Sequence, residues 1–333
     1  MDAVCEVPAR SVREYWTAGG KPGRKSKIPM KAAGQVQPGK QDPLPFSKMA
    51  GGGNDFVMID NRAGRIVDGS DLARRICTRA LSVGADGLIL VETSPRATFR
   101  MRYYNSDGSF GAFCGNGTRC AARFAFLNVM AGRKMTIETD AGIVNAEILE
   151  GGQVTLALPP PSAFRPQRPL MLGRQTIHGS SILVGVPHYV LFLRDDLWSQ
   201  NITPLGSTIR HHPELEPDGG ANANFVSVRD EHSIEVRTYE RGVEAETLSC
   251  GSGVVASAVT SALFGKVKSP VSVLTRSGIT YEVSFELRDG RAEEVRFRGD
   301  ARLIYRATLT PDTIEGFDPE FVRDPAARVT VSQ

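Results

Sequence analysis

"MRYYNSDGSFGAFCGNGTRCAARFAF" (residues 101–126) and "VRTYERGVEAETLSCGSGVVASAVTSALF" (residues 236–264) are two versions of one pattern. Each passes from a strand-like stretch through a Cys-Gly-x-Gly turn into an apolar segment of small residues with helical character. Superposing them carries Cys114 onto Cys250, an offset of 136 (250 − 114), and the same offset carries Gly115 to Gly251, Gly117 to Gly253, Thr139 to Thr275 and Gly142 to Gly278. Upstream the offset slips by one, pairing Tyr104 with Tyr239 (239 − 104 = 135). A weaker echo sets "GGNDFVMID" (52–60) beside "GVPHYVLFL" (185–193). The repeat predicts two homologous domains related by a pseudo-two-fold axis, each offering one cysteine turn to a shared cleft.

Around this repeat the chain reads as short strands in runs ("FVMID", "GLILVE", "FRMRYYN", "MTIETD", "VTLALP", then "ILVGVPHYVLFL", "ANFVSV", "IEVRTYE", "VSVLT", "TYEVSFEL", "EEVRFRG"). Helical segments are few: "DLARRICTRAL", "TRCAARFAFLNVM" and "SGVVASAVTSALF". Strands in runs, without strict β-α alternation, predict an α+β fold. Residues 1–44, rich in Gly, Pro, Lys and Arg, show no sustained apolar period and predict a flexible extension, a targeting segment and a start nearer Met30 being the other readings.

With 333 residues, 41% hydrophobic and 23% charged, the chain has ordinary globular composition and length for two cores. Forty basic against 37 acidic residues leave a net charge of +3, too small a field to favour nucleic acid or an anionic membrane. No apolar run approaches the roughly 20 residues of a membrane span. Five scattered cysteines make no disulfide framework and no CxxC, so a reducing compartment, the cytoplasm, is expected, with no metal site. A small polar molecule is the expected partner. The oligomeric state stays open, a homodimer included.

A cysteine at the mouth of a helix meets backbone N–H groups without intrahelical partners and the positive end of the macrodipole. Its thiol pKa is expected to fall there, and a carboxylate is the natural ligand of the adjacent N–H groups. A lone such cysteine is more often a packing residue. Two at equivalent positions, facing each other, place one sulfur on each side of a carboxylate's α-carbon. That arrangement suits inversion of a C–H stereocentre by two bases, with no cofactor needed in principle. Cys77 and Cys120 read as packing residues, and Cys5 belongs to the extension.

The motifs "FSKMAGGGNDFVMIDNR", "GADGLILVE", "YYNSDGSFGAFCGNGTRCAARF", "GVPHYV", "ANANFVSV", "VRTYERGVEAETLSCGSG" and "RGDARLIY" closely resemble, in order, those of the diaminopimelate epimerase family, from about Phe46 to Tyr305. The resemblance implies a pyridoxal-phosphate- and metal-independent epimerase that interconverts LL- and meso-diaminopimelate in lysine and peptidoglycan-precursor synthesis. It implies two alike α/β domains, each a sheet or barrel about a central helix: residues 45–157 with a returning segment at about 304–320, and residues 158–303. It implies Cys114 as general acid and Cys250 as general base for the LL substrate. Gly115 with Asn116, and Gly251 with Ser252, would offer N–H groups to the reacting carboxylate. Asn54, Asn105 and Asn222 match substrate-binding asparagines, Glu240 and Arg241 a clamp for the distal end of the substrate, and His188 a residue orienting the reacting amine.

Four departures stand out: Val186 precedes Pro187 where asparagine is common, one extra residue separates Arg241 from Cys250, Ala50 replaces a frequent histidine, and Asp300 stands where proline is usual. All four leave both cysteines in place but bear on the distal end of the substrate. Another cofactor-free amino-acid racemase is therefore the nearest alternative. A redox protein with a Cys114–Cys250 disulfide is the alternative from another class, and it gives no reason for the duplicated Gly-x-Gly cradle.

Overall fold

The computed structural model describes residues 44–111, 113–194 and 196–324. The expected extension lies outside these residues except for Leu44, which opens the first strand. β1 (Leu44–Gly51) and β2 (Asn54–Asp60) form an antiparallel hairpin. After α1 (Gly69–Ile76), β3 (Gly87–Glu92) runs parallel to β2, and β4 (Phe99–Asn105) returns antiparallel. The short β5 (Phe110–Gly111) leads into α2 (Gly115–Leu127). The meander β6 (Lys134–Thr139), β7 (Gly142–Ile148) and β8 (Val154–Ala157) joins the sheet through the parallel pair β4–β6.

The second half repeats this order after an added hairpin strand. β9 (Ser162–Leu172) pairs with β10 (Gln175–Val184), which pairs with β11 (Val186–Phe192). Then come α3 (Thr203–Arg210), β12 (Asn222–Asp230) parallel to β11, β13 (Ser233–Glu240), β14 (Ala245–Thr247) and α4 (Gly251–Leu263). The meander β15 (Val271–Thr275), β16 (Thr280–Arg288) and β17 (Arg291–Gly299) completes it, with β15 parallel to β13. β18 (Arg302–Leu309) then crosses back to lie antiparallel to β1, and α5 (Pro319–Arg323) follows.

Register shows the duplication residue by residue. Phe99 faces Ile137 across β4–β6 as Ile234 faces Val273 across β13–β15, which reproduces the offsets of 135 and 136. The β15–β16 turn is one residue longer, so Gly142, which pairs with Thr139, falls opposite Ile279 rather than Gly278 in the comparison. The weak echo is also one residue out: Val57 pairs with Leu88 and Tyr189 with Ala223, so Phe56 corresponds to His188. β8 and β17 pair with each other, Leu156 opposite Phe297. Leu156 also faces Ala146 as Phe297 faces Val283, so this pair straddles the pseudo-two-fold axis.

Each half wraps its strands round one helix. α4 carries no charged residue, and Gly253 through Ala262 are all buried. A helix apolar on every side belongs inside a core, and its Val, Ala, Ser and Thr side chains are small enough for strands to pass close by. Val190, Val226, Val236, Val273 and Val283 surround it. α2 lies equally deep among Met49, Phe56, Ile89, Val91 and Ile137. α1 and α3 cover the outer faces.

Two of the quoted segments differ from the sequence reading. "ILVGVPHYVLFL" is two strands, because Gly185 takes φ +69° and folds Val184 back onto Val186. "DLARRICTRAL" stops being helical at Cys77, and Ala80 adopts φ +69° beyond it. α3 was not expected, since "TPLGSTIR" has Gly, β-branched residues and no clear apolar period.

Leu156 is fully buried on the axis. Leu156→Ala is expected to cost about 2–5 kcal/mol, read as a lower urea midpoint at unchanged m-value. A loss below about 1 kcal/mol would mean that the β8–β17 junction is loosely packed.

Candidate active site

Cys114 and Cys250 occupy the N-cap positions of α2 and α4, both in extended backbone conformation (φ −144°, ψ 108° and φ −109°, ψ 108°). The first intrahelical bonds are donated by Thr118 to Cys114 O (2.8 Å) and by Val254 to Cys250 O (2.9 Å). The N–H groups of the three residues before each of these lie outside the helix ladder. Gly117 N–H turns to Cys114 Sγ at 3.4 Å, and Cys250 Sγ lies 3.5 Å from Ser252 Oγ.

The two helix starts face each other across one ring. A Cβ built on Gly251 would lie 3.2 Å from Phe297 Cε1 and 3.7 Å from Asn116 Oδ1, and one on Gly115 would lie 3.9 Å from the same Phe297 atom. The domain repeat thus brings Gly115, Asn116, Gly251 and Ser252 to a single place.

The first half supplies a chain of amides. Asn116 Nδ2 donates to Asn54 Oδ1 (2.8 Å), and Asn54 Nδ2 donates to Asp86 Oδ2 (2.9 Å). Asn116 Oδ1 accepts from Arg119 at 2.7 Å. Arg119 is fully buried, donates through Nε to Asp300 O (3.0 Å), and lies over Phe297 and Tyr281 at 4.7 and 5.3 Å. Asp300, the departure from proline, also accepts from Gly52 N–H through Oδ1 at 3.0 Å and so closes the β1–β2 turn. That turn needs glycine, since Gly52 has φ +64° and a Cβ there would meet Tyr281 Oη at 2.4 Å. Asn105 sits further out, held by Tyr103 Oη (2.7 Å) and Ser109 Oγ (2.9 Å).

In the second half the Glu240–Arg241 pair divides. Arg241 extends to the carbonyls of Asp218 (3.3 Å) and Gly219 (3.5 Å), and its N–H donates to Asn222 Oδ1 at 2.7 Å. Glu240 instead borders Thr247 and the Cys250 thiol, beside the start of α4. The extra residue before Cys250 is absorbed by a turn with Glu244 at φ +56°, which Arg210 holds at 3.0 Å. His188 is fully buried beneath α4, its Nδ1 3.1 Å from Asn224 Nδ2. Among the described residues no group of three or more His, Cys, Asp or Glu side chains could hold a metal ion, and no helix is long and apolar enough to cross a membrane.

Electrostatically the site differs from the sequence expectation. Burial pushes the Cys114 thiol up, opposed by Gly117 N–H and the Arg119 charge. Burial, reinforced by the Glu240 charge and opposed by Ser252, pushes Cys250 up as well. The helix N-termini do not offset desolvation at these buried positions, so both sulfurs rest as thiols. Burial also raises the Glu240 carboxyl.

The cradles are unequal. Gly117 packs against Ile89, Met101 and Phe56, whereas Gly253 packs against Asn224 Oδ1 and Thr238 Oγ1. Ile89 faces Tyr103 across β3–β4 as Asn224 faces Thr238 across β12–β13. An apolar floor under Cys114 thus corresponds to a polar floor under Cys250. Sequence reasoning missed Arg119, Asp86, Asn224, Thr238 and Phe297. The one available signal was the presence of Asp86, Arg119, Asn224 and Thr238 inside the quoted motifs.

Solved structures with this architecture include a Bacillus anthracis phenazine biosynthesis protein of the PhzF family (TM-score 0.61, 14% identity, 81% of this chain and 100% of that one). Another is a probable proline racemase from Agrobacterium radiobacter K84 (TM-score 0.60, 17% identity, 85% and 95%). The fold is therefore the two-domain fold that these proteins share, with its pseudo-two-fold pair of helix-centred halves. Within that class the chain belongs to the diaminopimelate epimerase family, whose model matches residues 46–162 and 180–301. It is 41% identical over 286 residues to the diaminopimelate epimerase of Aquifex aeolicus (strain VF5), covering 82% of this chain and 100% of that protein. It is 42% identical over 266 residues to that of Chlorobaculum tepidum, covering 79% and 100%. The unmatched residues 163–179 fall in the β9–β10 hairpin, where Ala163 and Gln167 take positive φ.

Raised thiols make a signed prediction. A thiol that holds its proton to higher pH when folded contributes stability that is fully present below the ordinary range near about 8.5 and is lost as pH rises toward the folded value. Cys250→Ala is expected to flatten the alkaline limb of unfolding stability by up to one proton, about 1.4 kcal/mol per pH unit. Urea denaturation at a series of alkaline pH values reads it, and an unaltered slope would show that Cys250 ionises as freely folded as unfolded.

Proposed function

We propose that this chain interconverts LL- and meso-diaminopimelate by a two-thiol mechanism, in the cytoplasm, in lysine and peptidoglycan-precursor synthesis. The observation that carries the reading is the pair of N-capping cysteines on facing helix starts with Phe297 between them. The substrate α-carboxylate lies against the free N–H groups of both starts, Gly115 and Asn116 on one side and Gly251 and Ser252 on the other. One sulfur then addresses each face of the α-carbon.

For the LL isomer, Cys250 as thiolate removes the α-proton and the Cys114 thiol delivers its own proton to the opposite face. The product leaves with Cys250 protonated and Cys114 as thiolate, and the reverse reaction exchanges the roles. Glu240, beside Cys250, is the group we assign to drawing off the thiol proton once substrate binds. The helix ends, together with the Arg119 charge, favour the electron density that moves onto the carboxylate, an electrostatic contribution fixed before reaction. Arg241 and Asn222 take the distal end, with Asn54, Asn105 and His188 completing the pocket. Cys250 is only 6% exposed, so entry requires the halves to part, and closure excludes water from a weakly acidic C–H. The domain partition expected above is supported by the return of β18 to β1.

The test follows α-deuterium incorporation and meso product from LL-diaminopimelate in heavy water. Cys114→Ala and Cys250→Ala are each expected to lower turnover by about 10²–10⁴-fold in folded protein. Turnover within tenfold of the parent in either variant would overturn the two-thiol mechanism. Inactivity of the reduced parent with this substrate, alongside exchange of another amino acid, would move the assignment to a related racemase.

A further inference from the structure

Beneath the first turn of α4 lies a polar cluster that the first half lacks. Asn224, Thr238 and His188 are 1%, 4% and 0% exposed. A Cβ on Gly253 would lie 2.3 Å from Asn224 Oδ1 and 3.3 Å from Cys250 Cβ, so the cluster is the floor of the Cys250 turn. Buried polar atoms are retained where their hydrogen bonds define an arrangement.

The orientation of the Asn224 amide is fixed by partners that act in one sense only. Its Nδ2 lies 3.3 Å from Tyr189 O and 3.2 Å from Asn222 O, and carbonyls only accept. Its Oδ1 takes the Thr238 hydroxyl at 3.0 Å. The NH2 group therefore faces His188 Nδ1 at 3.1 Å, and a proton on Nδ1 would point at another donor. We propose that Asn224 is a positioning residue that fixes His188 as the neutral tautomer protonated on Nε2, able to serve a ligand only by donating a hydrogen bond.

Two observations agree with this. His188 Nε2 is buried without a hydrogen-bond partner among the described residues, a donor left for something the protein does not itself supply. Burial, helped by the Arg241 charge and opposed by Asn224, lowers the imidazole to about 3, so it stays neutral across the physiological range. A neutral Nε2–H matches an anionic oxygen or a thiolate and mismatches an ammonium. On the proposed function, on which this ligand choice rests, His188 holds the substrate carboxylate and does not orient the amine. The equivalent first-half positions, Ile89 and Tyr103, offer no such relay.

The experiment is a long-range proton–nitrogen spectrum of full-length protein labelled with nitrogen-15 histidine, the His188 signals identified by their loss in His188→Gln. The expected result is the Nε2–H pattern, unchanged from about pH 5 to 8. An Nδ1–H or imidazolium pattern in the parent protein at neutral pH would overturn the proposal without any variant. In Asn224→Asp, which can only accept, the proton is expected to move to Nδ1 or a second proton to bind. In Asn224→Leu the single tautomer is expected to be lost, with kcat/KM down about tenfold or more. A folded Asn224→Leu protein with the parent's tautomer would equally overturn it. The spectrum needs no turnover, so an Nε2–H pattern in a protein inactive on diaminopimelate would refute the substrate and leave the tautomer standing.

Discussion

The molecule is organised round a confrontation that is unfavourable in itself: two helix N-termini aimed at one another across the ring of Phe297. Each carries the equivalent of about half a positive charge, and Arg119 adds a whole one, fully buried. The guanidinium meets an amide oxygen, a carbonyl, and the rings of Phe297 and Tyr281. Such a concentration of positive potential persists because the surrounding packing enforces it. The arrival of an anion would relieve it, which is why the same geometry that costs stability suits the carboxylate of the proposed substrate.

Desolvation sets the condition of the sulfurs. A dipole at a helix start lowers a thiol pKa when water and dipole are both present, but here the burial that excludes water prevails and both thiols keep their protons. On the proposed mechanism, ionisation draws on a neighbouring base: Glu240 borders the Cys250 thiol directly, and its charge reaches Cys114 as well. The halves are related by symmetry in backbone and not in chemistry. Ile89 and Tyr103 line one cradle, while Asn224 and Thr238 line the other. A symmetric frame with unlike floors suits a substrate whose two faces must be treated differently.

The frame was legible because duplication leaves a numerical trace. The offsets of 135 and 136 read from Tyr104 and Cys114 are the offsets at which Phe99–Ile137 and Ile234–Val273 pair. The cysteines were legible because both copies kept them. Asn224 was not, since its partners lie on β11 and β13 and only the folded sheet brings them within reach. Arg119 escaped for a related reason: a charged residue five positions before the end of a quoted motif gives no hint that it is wholly buried under rings from the other half. The raised thiols follow from burial, a tertiary quantity that a helix-start motif does not carry. Gly185 was misjudged because an apolar run interrupted by one glycine reads equally well as one strand or as two.

The return of β18 to β1 has a thermodynamic consequence. β18 follows β17 with only two residues between, yet its ladder partner is the first strand of the other half, and β8 and β17 are hydrogen-bonded across the axis. Melting the first half would strip β18 of its ladder partner and bare the β17 edge, while melting the second would bare the edge of β8 and leave β18, still paired with β1, joined to unfolded chain. Neither half can unfold without exposing an edge of the other, so the two lobes are expected to melt as one cooperative unit.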